Sequence, residues 1–180
     1  MTVLAIDSTA RESAVAVLRD GKCLAEFWAG DALSTSEALL PMVERALSAS
    51  ALTLDDITLF AVAVGPGSFT GVRIGVSLIK GLAFGRGKPC AAVSSLSALA
   101  ESLAPLPGLI CPVMDARRNQ VYNALFRVEA GKCTRITEDR AISLEDLAVE
   151  LENLKEPVFL VGDGSNLCYN TLLEDVPNLV

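Results

Sequence analysis

Four short stretches of the chain carry residues whose types and spacing could do chemistry. Gly65-Pro66-Gly67-Ser68-Phe69-Thr70-Gly71-Val72-Arg73-Ile74-Gly75 joins an apolar strand, Leu59 to Val64, to a helix. Glycines at such a turn let backbone N–H groups approach an anion at the helix N-terminus. Asp7-Ser8-Thr9 and Asp115-Ala116-Arg117 are expected at the tips of two β meanders. There, turn N–H groups can grip a phosphate and an acid can stand near a metal ion or an attacking water. A nucleotide or phosphate reading therefore takes in Asp7, Ser8, Thr9, Gly67 and Asp115. Gly162-Asp163-Gly164-Ser165-Asn166 either touches an adenosine or is a plain loop, and the loop is the preferred reading.

Each stretch also has a purely structural reading. Ser68 can cap the helix while the glycines make the bend, and acidic turns are common solvated features. The glycine turn is not a P-loop, since no Lys-Ser or Lys-Thr follows it, and its glycine spacing departs from the dinucleotide fingerprint. Histidine is absent from the 180 residues. That removes the usual general base and the usual transition-metal ligand, and no spacing indicates the Ser-Lys pair that a peptidase would then need. Cys23, Cys90, Cys111, Cys133 and Cys168 are far apart and set in apolar segments, as buried reduced thiols would be.

A net charge of -7 and a pI near 4.6 argue against wrapping a polyanion unaided, so any role with nucleic acid is expected to be indirect. Hydrophobic residues make up 51% of the chain and aromatic ones 5%. The mean hydropathy of +0.44 implies more apolar surface than a chain this size hides alone, which favours an oligomer or complex. Neither a signal sequence nor an apolar run near the ~20 residues of a membrane span is evident, and a cytoplasmic location is expected.

The elements that would position these residues read as an α/β protein with an internal duplication. Val3–Thr9, Ala14–Leu18 and Asp20–Glu26 resemble Ile110–Arg117, Gln120–Phe126 and Ala130–Ile136. Each set reads strand, acidic turn, strand, Gly-Lys turn, strand. Between the sets, Ser34-Thr35-Ser36-Glu37 is a capping box opening a helix from Ser36 to Leu47. Pro41 is expected to kink that helix or shift its start. A second helix runs from Phe69 to Phe84, Cys90–Val93 is a short strand, and a helix spans Ser94–Ala104. Pro105-Leu106-Pro107-Gly108 is the expected hinge between lobes at 1–104 and 109–180. A helix from Ser143 to about Leu154 and a strand at Val158–Val161 follow, and the tail shows no closing element. The helix from Phe69 is apolar around its whole circumference. The two long helices are therefore expected to share a face for a partner built from Leu39, Leu40, Met42, Val43, Val72, Val76, Leu78, Ile79 and Leu82.

Leu4-Ala5-Ile6-Asp7-Ser8-Thr9, Ser36-Glu37-Ala38-Leu39-Leu40-Pro41, the glycine undecamer and Met114-Asp115-Ala116-Arg117-Arg118-Asn119-Gln120-Val121-Tyr122 together resemble the TsaB (YeaZ) family over nearly the whole chain. The resemblance implies the two-lobed, duplicated actin- and hexokinase-like ATPase fold with ribonuclease H-like lobes. It also implies a part in making N6-threonylcarbamoyladenosine (position 37) in tRNA. In that pathway the paralogue TsaD transfers the threonylcarbamoyl group with TsaE assisting, while TsaB is a non-catalytic partner. It binds TsaD through its two N-terminal-lobe helices and forms homodimers through the same surface when alone. No metal and no cofactor of its own is implied, and ATP or ADP enters only at a partner interface; tRNA is met indirectly and no membrane is involved. The missing histidines agree with a catalytically empty paralogue of the His-x-x-x-His enzymes. Family members often start the first helix with His-Ser-Glu where this chain has Thr35-Ser36-Glu37. The chain also ends earlier than such proteins do, so the second lobe is expected to be incomplete. The rival readings are a small ATP-binding kinase or ATPase of the same superfamily and a peptidase-like protein.

Overall fold

The computed structural model describes residues 1–30, 34–154 and 156–180. The chain divides between Ser95 and Leu96 into two compact units, upstream of the Pro105–Gly108 stretch where the sequence reading places the hinge.

In the first unit, β1 (Thr2–Asp7), β2 (Ser13–Arg19) and β3 (Lys22–Ala29) form an antiparallel meander. Two parallel strands, β4 (Leu59–Ala63) and β5 (Cys90–Val93), join β1 in the order β3-β2-β1-β4-β5. Leu4, Ile6, Val15 and Val17 alternate with half-buried neighbours and point to one face, as the two-residue period of a strand requires. That face is covered by α1 (Thr35–Ala49) and α2 (Phe69–Phe84), which lie side by side on it. The helix α1 runs through Pro41 and starts with the expected capping box between Ser34 and Glu37. Ser68 caps α2 by accepting a hydrogen bond from the Gly71 N–H at 3.2 Å. A helix α3 (Ser95–Ser102) follows β5 across the division of the chain.

The second unit repeats the plan. The strand β6 (Gly108–Arg117) pairs antiparallel with β7 (Gln120–Asn123) and β8 (Phe126–Glu129). Val113 faces Asn123 and Ile110 faces Phe126 in a single register, so β7 and β8 are one strand interrupted at Ala124 and Leu125. The third position is likewise shared, by β9 (Lys132–Arg135) beside β8 and β10 (Arg140–Ser143) beside β7. Behind a helix α4 (Leu144–Glu152), β11 (Val158–Val161) lies parallel to β6 as β4 lies to β1. The two meanders turn alike: Asp20-Gly21 and Ala130-Gly131 each place two successive residues at positive φ, 50° and 78° in the first and 50° and 76° in the second. This is the two-residue hairpin turn whose twist matches the strands.

Beyond β11 the chain forms two elements that the sequence reading did not place. A helix α5 (Ser165–Leu172) packs on β6 and β11. Residues 178–180 then return along β11: Val158 N–H donates to Asn178 O, Leu160 N–H to Val180 O, and Val180 N–H to Val158 O. The bridge there is parallel, so the tail takes the place that β5 holds in the first sheet. Its core joins Leu109, Val113, Leu147, Leu151, Cys168 and Val176. Among the described residues no helix is long and apolar enough to cross a membrane.

Candidate functional sites at the strand tips and the helix pair

The glycine undecamer is explained first by what it touches. Ser68 N–H donates to Thr9 O at 2.6 Å, and Ser8 Oγ donates to Gly71 O at 2.8 Å. A Cβ on Gly67 would overlap Thr9 O, with the carbonyl carbon at 2.9 Å; one on Gly71 would overlap Ser8 O, with its carbon at 3.1 Å. A Cβ on Gly75 would overlap Ser8 Oγ. Gly67 also has φ +151°, a conformation that side chains rarely adopt. The N-terminal half of α2 is thus pressed backbone to backbone on the tip of β1, and three glycines are there because nothing larger fits.

This contact commits the hydroxyls of the first tip. Ser8 is fully buried and Thr9 nearly so. Thr9 donates to Asp7 Oδ1 twice, from its N–H at 2.8 Å and from Oγ1 at 2.7 Å. The second tip is built on the same turn, with Arg117 N–H donating to Asp115 Oδ1 at 2.7 Å. In both units, therefore, the acidic residue at the end of the first strand uses one carboxylate oxygen to hold the N–H two residues on. The structure brings Asp7, Ser8, Thr9 and Gly67 together in the first unit, and Asp115 occupies the matching turn in the second. Arg117, Arg118 and Asn119 hold φ of 65°, 54° and 58° in succession, a run that non-glycine residues sustain only when neighbours fix it. Asn119 O accepts from Leu144 N–H at 3.1 Å, and Asp163 Oδ1 accepts from Asp115 N–H at 3.3 Å. The Gly162–Gly164 loop packs on β6 as the glycine turn packs on β1: a Cβ on Gly162 would overlap Val113 O. Among the described residues no group of three or more Cys, Asp and Glu could hold a metal ion.

The helix pair corrects four of the expected interface residues. Leu39, Met42, Val43 and Ile79 are at most 5% exposed and belong to the core under the sheet, so a partner cannot reach them without opening the fold. The reason is periodic: Ala38, Leu39, Met42, Val43, Ala46 and Leu47 make one stripe, and it faces the strands. Leu40 is 46% exposed, and Val72, Val76, Leu78 and Leu82 are half-buried along the flanks of α2. The buried stripe of α2 is Gly71, Gly75, Ile79 and Ala83. Its opposite stripe carries Arg73, Ser77, Lys80 and Phe84. Phe69 and Phe84, 69% and 90% exposed, were missed as surface residues, although the charges at 73 and 80 mark the solvent side in the sequence. The Arg73 guanidinium stacks 3.7 Å from the Phe69 ring centroid.

The family model for TsaD, tRNA N6-adenosine threonylcarbamoyltransferase, matches residues 32–176. The tRNA threonylcarbamoyladenosine biosynthesis protein TsaB of Bacillus subtilis is 37% identical over 176 residues, 98% of this chain and 76% of that protein. Among solved structures, YeaZ from Pseudomonas aeruginosa aligns with a TM-score of 0.78 at 28% identity, covering 88% of this chain and 74% of that one. A chain of the PilM–PilN type IV pilus biogenesis complex aligns over 99% of this chain and 87% of its own length with a TM-score of 0.56 at 11% identity, a likeness of fold alone. With the repeated strand plan and the twin acidic turns, these matches place the chain in the TsaB (YeaZ) family, on the duplicated actin- and hexokinase-like fold.

Proposed function

We propose that the chain is a non-catalytic subunit that holds and activates a TsaD-like paralogue in making N6-threonylcarbamoyladenosine on tRNA. The observation that carries this reading is the 37% identity to a TsaB protein across 98% of the chain. The internal use of the first tip supports it, since the Ser8 and Thr9 hydroxyls that a nucleotide would need already bond within the fold. In this reading the paralogue meets the outer faces of α1 and α2, where Leu40, Phe69 and Phe84 are exposed, and the same surface pairs two copies when the paralogue is absent. The complex works in the cytoplasm, TsaE joins it through the paralogue, and tRNA is contacted indirectly. The subunit has no cofactor of its own, and any ATP or ADP is held at the partner interface.

The test is co-expression with a TsaD-like paralogue and copurification, with modified adenosine in tRNA measured by mass spectrometry. Phe84→Asp changes a side chain that packs on almost nothing, so the melting temperature is expected to hold while copurification and the modified nucleoside are lost. Full copurification of that variant would remove α2 from the interface. ATP turnover by the purified subunit alone would favour an independent ATPase instead.

A further inference from the structure

The second unit buries two thiols that the proposed function does not use. Cys111 on β6 and Cys168 on α5 are both fully buried and share one core. Their elements set them against each other. Gly164 rests on the end of β6: its N–H donates to Val113 O at 3.1 Å, and a Cβ there would stand 3.2 Å from Asp115 N and from the Val113 carbonyl carbon. From that point α5 runs back along β6, because it joins β11 to the tail strand and both of these run parallel to β6. One helical turn, about 6 Å, leads from Gly164 to Cys168. Two strand residues, about 6.6 Å, lead from Val113 back to Cys111 on the same face. Burial raises the Cys111 thiol above its ordinary value, and the neighbouring Cys168 raises it further.

Two features suit this pair to more than packing. Asn123, itself fully buried, turns its amide to sulfur: Nδ2 donates to Cys111 Sγ at 3.0 Å, while Arg140 holds Oδ1 through Nη2 at 3.1 Å and Nε at 3.3 Å. A donor held on Sγ favours the thiolate over the thiol. The seat of Cys168 is light by comparison. The helix α5 has a glycine at its N-cap with no side-chain bond there, carries Ser165, Asn166, Asn170 and Thr171, and buries only Cys168 and Leu172. An element held by so few apolar contacts opens without the rest of its unit.

We propose that Cys111 and Cys168 form a reversible dithiol switch: opening of α5 exposes Cys168 to a peroxide, and reclosing joins it to Cys111, tying α5 to β6. Once in water, Cys168 regains the acidity of an ordinary thiol. Its thiolate attacks one peroxide oxygen. The S–O bond forms, the O–O bond breaks, and the departing hydroxide takes up the proton that Cys168 released, which leaves a sulfenic acid and one water. On reclosing, the Cys111 sulfur attacks the Cys168 sulfur; the S–S bond forms, the S–O bond breaks, and hydroxide leaves with the Cys111 proton as a second water. Two thiols are oxidised to a disulfide and one peroxide is reduced to two waters. A thiol reductant restores the pair by exchange.

The test is hydrogen peroxide added to the reduced full chain carrying Cys23→Ser and Cys90→Ser, which removes the two exposed thiols, followed by alkylation and peptide mass mapping. A peptide pair joined through Cys111 and Cys168 is expected, about 2 Da lighter than its two parts and separated by dithiothreitol. Its rate of formation should rise about threefold or more in urea below the unfolding midpoint, and the oxidised chain should unfold at a higher urea concentration than the reduced one. Adding Cys111→Ala should leave Cys168 as a sulfenic acid that dimedone traps, whereas Cys168→Ala should leave Cys111 unoxidised. Both cysteines recovered unlinked from the folded chain, links to Cys133 as frequent as links within the pair, a rate indifferent to urea, or dimedone on Cys111 in place of Cys168 overturns the switch.

Discussion

Gly71→Ala puts the contact between α2 and the tip of β1 to a direct test. In an ordinary helix interior the change stabilises by about 1 kcal/mol. Here the new methyl group overlaps the Ser8 carbonyl oxygen, with the carbonyl carbon at 3.1 Å and Ser68 Cβ at 3.3 Å. The first two are backbone atoms of a buried strand end, which no rotamer change can move. Overpacking of this kind costs about 1–3 kcal/mol. Forcing the helix outward also stretches the buried bond from Ser8 Oγ to Gly71 O, and an unmade buried bond costs about 1–3 kcal/mol. Set against the helix gain, the net destabilisation is about 3 kcal/mol, which for a unit of this size lowers the melting temperature by on the order of 15 °C. Gly81→Ala, in the same helix with open space around it, is the control and is expected to raise the melting temperature by about 5 °C. Thermal and urea unfolding followed by circular dichroism at concentrations where the chain is monomeric would read both. If the two substitutions shift stability in the same direction, the tight seat of α2 on β1 is refuted.

Three further outcomes are expected. The Arg127 guanidinium bonds Glu156 through both of its terminal nitrogens and holds the carboxyl below its ordinary value. The carboxylate therefore stabilises the fold at neutral pH and loses that effect as the pH falls below about 4.5 and the group protonates. Glu156→Gln should flatten that part of the acid-unfolding curve, and an unchanged curve would count against the pair. In native protein Cys23 and Cys90 are exposed and should react first with a thiol reagent, while Cys133 lags and Cys111 and Cys168 wait for unfolding. Burial pushes up the Cys111 thiol, and that of Cys168 to about 11; more than two fast thiols would contradict the fold. Asn123 is fully buried and donates to Cys111 Sγ, Pro112 O and Ala124 O while accepting from Arg140. Asn123→Leu should cost about 3 kcal/mol by stranding those groups, visible as a lower urea midpoint.

The meanders were legible because their signals are local. Alternation in Val3–Asp7 and Ala14–Leu18 and the Asp20-Gly21 turn need no distant partner to be read, and the same holds for Ser68 as the cap of α2. The helix α5 was not legible, since Ser165, Asn166, Asn170 and Thr171 weaken its apolar pattern and only Cys168 and Leu172 are buried. The tail strand is three residues long and is defined by its bonds to β11 alone. At the helix pair the regular stripe of α1 marks the side that meets the sheet, and Leu39, Met42 and Val43, expected at a partner face, belong to that stripe. At the tips the residue types were right, but the commitments of Ser8 to Gly71 and of Ser68 to Thr9 join positions some sixty apart in sequence, and spacing cannot show them.

The seat of α2 has a mechanical consequence. Where helices rest on sheets through long side chains, rotamer changes absorb small displacements, and the two layers can slip. At Gly67 and Gly71 main chain rests on main chain, with no cushion to compress. Rotation or axial shift of α2 would therefore press directly on the main chain at Ser8 and Thr9, the residues that follow Asp7 in the turn at the end of β1.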